Sequence, residues 1–161
     1  MLFHALGMGG TVFLPMHIPV LLAGLALGPA LGSAVGLLTP LLSFVLTGMP
    51  PVSPPILPLM MLELAVYGFV AGLLMSRVGR SAWAVWISLL AAMVVGRVAL
   101  GLAVAGAVAL AGFQADPVVY VLGSVATGLP GILLQLLLVP MLYRLLRLLP
   151  EQLALTPHTG A

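Results

Sequence analysis

Ile56–Arg80 reads ILPLMMLELAVYGFVAGLLMSRVGR. From Ile56 to Ser76 the run is apolar except for one acid, Glu63, and it ends abruptly at Arg77 and Arg80. Crossing the hydrocarbon core of a bilayer takes about 20 apolar residues in helical form. This run has that length, and its arginines stand where an inner membrane surface holds them.

The same reading extends in both directions, with Pro, Gly and charge as punctuation. Upstream, Gly48-Met49-Pro50-Pro51-Val52-Ser53-Pro54-Pro55 blocks any helix, since proline lacks the N–H donor and clashes with the preceding turn. Before it lie two shorter apolar runs, 15–27 and 30–46, divided by Gly28-Pro29. Residues 1–14 are a Gly-rich entry segment. Downstream come a long run at 82–111, a loop at Phe113–Pro117 and a last run at 118–146. A polar tail at 150–161 is expected to fray. The fold class is therefore an all-α integral membrane protein, a single membrane domain over 1–161 with a bundle of five transmembrane helices. At the usual rise the run 82–111 is about 45 Å long, so it tilts, bends at Gly96 or Gly101, or projects.

Composition agrees. The chain is 63% hydrophobic and 5% charged over 161 residues. Soluble domains carry about 25% charged residues, so no water-facing surface can be built here. It has no Cys, which excludes disulfides and thiolate metal sites. Five Lys/Arg give no basic patch for nucleic acid. The first charged residue is Glu63, so no basic segment precedes an apolar run as in a cleaved signal. His4, His17 and His158 have no second ligand one turn away, and no HExxH, P-loop or nucleotide fingerprint appears. The expectation is a protein that is not an enzyme, with no catalytic residue, metal or cofactor. It cannot hydrolyse ATP by itself.

Orientation follows from the arginines. Arg77 and Arg80 precede the fourth run, and Arg144 and Arg147 end the fifth. Single crossings put both pairs on one side, the cytoplasmic one, with the C-terminus. Trp83 and Trp86 fall where an interfacial aromatic belt is expected. Small residues recur every four positions at Gly24, Gly28, Gly32 and Gly36, at Gly68 and Gly72, and at Gly101, Ala105 and Ala109. That spacing lets helix backbones approach closely in lipid. It serves internal packing or a partner protein, and Gly28-Pro29 prevents the first stripe from being one continuous face.

Two charges lie at membrane depth. A charge at the bilayer centre costs at least about 2.5–3.5 kcal/mol, so such residues pair or line a wet cavity. Glu63 lies about two turns from the outer start of its run, and Arg97 roughly 22 Å above the inner start of the next. Both fall in the outer half at similar height. They form a structural clamp, a ligand pocket, or both. Tyr67, one turn from Glu63, faces the same space. His17 lies between Pro15 and Pro19, where irregular backbone is expected; it is an interfacial histidine bonded to a carbonyl, or it lines a pocket. Thr127 and Gln135 flank Pro130-Gly131, a pair able to unwind a turn. Gln135 reads as an interhelical hydrogen-bonding group. Asp116 is placed to cap the last helix.

These stretches resemble a known family. Phe13-Leu14-Pro15-Met16-His17-Ile18-Pro19-Val20-Leu21-Leu22-Ala23-Gly24, Leu27-Gly28-Pro29, Leu46-Thr47-Gly48-Met49-Pro50-Pro51, Glu63–Gly72 and Gly96-Arg97 look like the substrate-binding (S) components of energy-coupling factor (ECF) transporters. The resemblance spans roughly residues 10–147. It implies a six-helix protein that holds a vitamin or similar micronutrient in a pocket near the outer face. It also implies a transmembrane coupling subunit and two cytoplasmic ATPases as partners, in the plasma membrane of a prokaryote. The family's pocket regions correspond here to His17, Glu63, Tyr67, Arg97 and Thr127. The chain departs from the pattern at its start, where residues 1–14 stand at the end of an expected first helix. Two other functions remain open: a self-contained small oligomeric transporter or channel, and a structural membrane protein without ligand.

Overall fold

A computed structural model describes residues 16–48, 56–79 and 81–154. It contains α1 His17–Leu27, α2 Pro29–Thr47, α3 Ile56–Val78, α4 Ala82–Ala111 and α5 Pro117–Ala154. Among the described residues all regular structure is helical. The apolar windows Pro29–Thr47, Ile56–Val78, Ala82–Ala111 and Pro117–Leu148 are long enough to cross a membrane. With 11 residues, α1 spans only about 16 Å, half a hydrocarbon core. Leu46, Leu110, Leu102 and Trp83 are among many large apolar side chains left on the surface, which suits a surface wetted by lipid. This is an all-α integral membrane protein.

Local chemistry sets the helix ends. The Ser81 hydroxyl accepts from the Ala84 N–H at 3.1 Å and starts α4. Asp116 Oδ1 accepts from the N–H groups of Val118 and Val119, both at 2.9 Å, and starts α5. Between α1 and α2 the chain turns on Gly28, at φ 93° and ψ 179°. Side-chain-bearing residues avoid that conformation, at a cost of about 1–3 kcal/mol. Space at Gly28 is open, so Gly28→Ala isolates the backbone cost. A loss of that size is expected in detergent unfolding curves, and an unchanged midpoint would show that the turn does not need its glycine.

Glycines decide how the helices meet. α2 and α3 run antiparallel, with Gly36 against Leu64, Gly32 against Gly68, and Gly28 against Gly72. The turn at Gly28 folds the first glycine stripe back on itself. A Cβ on Gly32 would stand 2.6 Å from Gly24 Cα and 2.6 Å from the Gly68 carbonyl oxygen. Gly24, Gly32 and Gly68 thus form one three-helix contact, and this stripe serves internal packing. The stripe at Gly101 is different, because Ala105 and Ala109 are exposed.

α1 sits inside the bundle. Val20, Leu21 and Leu25 pack with Leu64, Tyr67 and Ala71 of α3, Leu89 and Ala92 of α4, and Val139 and Tyr143 of α5. Between helices in lipid the stabilisation comes from van der Waals packing and polar contacts, since lipid tails are as apolar as leucine.

The structure departs from three expectations. α5 passes through Pro130-Gly131 without unwinding and continues past Pro150 to Ala154, where a frayed tail from 150 was expected. Glu151, Gln152, Leu153 and Ala154 are good helix formers, and proline costs only one hydrogen bond and local strain. His17 is the first residue of a regular helix rather than part of an irregular segment. Pro19 lies in the first turn, where no intrahelical donor is required. The expectations for residues 1–14, the Pro-rich loop, Arg80 and His158 concern positions outside the described residues.

Candidate functional site

The antiparallel pairing of α3 and α4 sets Tyr67 against Gly96, whose missing side chain leaves room for the ring. One turn away, Glu63 and Arg97 meet, Nη1 to Oε1 at 2.8 Å. Glu63 is 5% exposed. Tyr67 lies one helical turn from Glu63 on α3. Arg97 Nη1 also donates to Ser124 Oγ on α5 at 3.0 Å, and the Ser124 hydroxyl donates to the Val121 carbonyl at 2.8 Å. His17, at the buried start of α1, places its ring centroid 5.1 Å from that of Tyr67 at a 56° tilt.

His17, Tyr67, Glu63, Arg97 and Ser124 therefore form one cluster drawn from four helices. Four of the five residues predicted for the site are in it, while Thr127 is not. It is exposed, and its hydroxyl donates to Gly123 of its own helix at 2.9 Å. The inward face of α5 runs through Gly128, Gly131, Gln135 and Val139, and Thr127 lies one residue off it. Ser124, one turn before Gly128, is on that face. Counting back along helical spacing from Gln135 would have found it. Gln135 is buried, yet its amide nitrogen has no hydrogen-bond partner among the described residues.

Beside the cluster lies a groove of about 620 Å³ between α4 and α5. Among the described residues, Tyr67 and Arg97 are the only ones lining it with polar side-chain groups. The arrangement suits binding rather than bond-making. It offers an ion pair, charged donors and an apolar wall, and among the described residues no nucleophile is held against a base.

A family model described as "ECF transporter, substrate-specific component" matches residues 2–143. No curated protein and no solved structure matches the chain.

Proposed function

The chain belongs to the family of ECF transporter substrate-specific components, and on that premise we propose that it captures a vitamin or related micronutrient at the Glu63–Arg97 cluster for ATP-driven uptake. Membership makes it a multi-pass membrane protein and a substrate-binding subunit for uptake, and not an enzyme. One observation carries the choice of site: the buried Glu63–Arg97 pair stands at the edge of an open groove. An ion pair that only clamps helices has no need of a cavity beside it.

In this reading Arg97, Ser124, Tyr67 and His17 contact the ligand, and Glu63 holds the guanidinium in place. Thr127, exposed and satisfied by its own helix, is left out. A transmembrane coupling subunit and two cytoplasmic ATPases complete the transporter in a prokaryotic plasma membrane. Arg77, Arg80 and the C-terminus face the cytoplasm, as the arginine bias supports.

The test is a panel of vitamins and their precursors, scored by thermal shift on the purified chain. One compound is expected to raise the Tm, and the Glu63→Leu/Arg97→Leu double variant should lose that shift. Uptake of the compound in cells should require the coupling subunit and ATPases. No stabilising compound would leave the pair a structural clamp, and uptake without ATPases would make the chain a self-contained transporter.

A further inference from the structure

The groove between α4 and α5 opens sideways. Val94, Val98 and Leu102 on α4, and Val118 and Leu122 on α5, line it and are each more than half exposed on the outside of the bundle. In a bilayer that outside is hydrocarbon, so the groove communicates with lipid along its flank.

Its polar end is electrically balanced. Arg97 and Glu63 cancel, and among the described residues no other ionisable side chain except the Tyr67 phenol lines the groove. A charged ligand would leave a net charge at membrane depth and incur the cost of an unpaired ion in lipid. A neutral ligand leaves the pair intact. The hydrogen-bonding inventory narrows the class further. Guanidinium carries five N–H donors and no acceptor. Its two contacts here, to Glu63 and Ser124, both run through Nη1, so Nε and Nη2 keep three N–H groups for a further acceptor. The Ser124 hydroxyl proton is already given to the Val121 carbonyl. Arg97 thus has donors to spare and takes an acceptor. A lipid acyl chain supplies none.

We propose that the ligand is an uncharged, largely apolar molecule with a hydrogen-bond acceptor such as a carbonyl oxygen, which enters laterally from the bilayer between α4 and α5 and places that acceptor on Arg97. This deepens the proposed function and rests on the cluster being its ligand site.

Benzophenone tests it, being an apolar neutral ketone that inserts into nearby C–H bonds on irradiation. The full chain in phosphatidylcholine nanodiscs is irradiated with it and the adducts are mapped by peptide mass spectrometry. Adducts are expected on α4 and α5 at Leu102, Val118, Val121 and Leu122. N-methylbenzanilide, a neutral carbonyl compound, should suppress them about tenfold more effectively than diphenylmethane, which lacks an acceptor, or benzoate, which is charged. The Glu63→Leu/Arg97→Leu variant should lose that preference. Val98→Trp, which fills the groove and leaves the pair in place, should lose the adducts while keeping the wild-type Tm.

Adducts spread evenly over the lipid-facing surface, or equal suppression by diphenylmethane, would overturn the proposal in favour of simple lipid occupancy. Strongest suppression by benzoate would overturn the neutral class. Absent adducts with a groove covered by a second copy, seen as an α4–α5 cross-linked dimer, would overturn it as well. A water-soluble vitamin that stabilises the chain without displacing benzophenone would sink this inference and leave the proposed function standing. Competed groove adducts on a chain that supports no ATP-driven uptake would do the reverse.

Discussion

Glu63→Leu is expected to destabilise the bundle by about 3–5 kcal/mol, the cost of breaking a buried pair by removing one partner. The reason is the charge left behind. Arg97 is largely enclosed, with 13% of its side chain accessible, and a guanidinium does not shed its proton in a protein. Ser124 remains as a partner, but a hydroxyl does not neutralise a cation. Glu63→Leu/Arg97→Leu should cost far less, within about 1 kcal/mol of wild type, because replacing a buried pair by apolar groups of similar size is often neutral. SDS-titration unfolding in mixed micelles, followed by the fluorescence of Trp83 and Trp86, reads both. If the double variant is as unstable as the single, the shape of the side chains holds the helices there, and the charge argument is wrong. If neither variant changes the midpoint, the pair is not formed.

Gly68→Ala is expected to lose about 3 kcal/mol, the upper end of the usual cost of overpacking. A Cβ at Gly68 meets the carbonyl and Cα of Gly32, which are backbone atoms and cannot rotate away. α2 must withdraw from α3, and α1 with it, because Gly24 and Gly32 both rest on the Gly68 carbonyl. Gly106→Ala is the matched control, since nothing lies within 4 Å of a Cβ there and alanine is the better helix former. It should be neutral or slightly stabilising. Equal midpoints for the two variants in the same titration would show that the α2–α3 contact is looser than described. A ligand-binding defect would also follow from Gly68→Ala, since displaced α1 carries His17 away from Tyr67.

Both predictions bear on what was legible from residues alone. Glu63 and Arg97 were readable as a pair because position along a membrane helix is depth, and depth follows from counting at a fixed rise from charged ends. Asp116 was legible from a local rule, as a short polar side chain just before an apolar run. That Thr127 stands outside the cluster was not legible, because it depends on which way a residue faces around its helix.

In a soluble helix the polar face marks the outside, and apolar spacing reveals the core. Here lipid-facing and buried positions are both leucine, valine and alanine, so that signal is absent. Membrane solvent, the helices of the described residues and the shared depth of the two charges follow from the sequence of this protein alone. The tertiary structure decided the azimuths. It turned Ser124 inward and Thr127 outward, folded a glycine stripe back on Gly68, and opened a groove between α4 and α5. The physical reason is one asymmetry. Crossing hydrocarbon constrains every residue's depth through its polarity, whereas rotation about the helix axis is set only by how backbones and side chains fit one another.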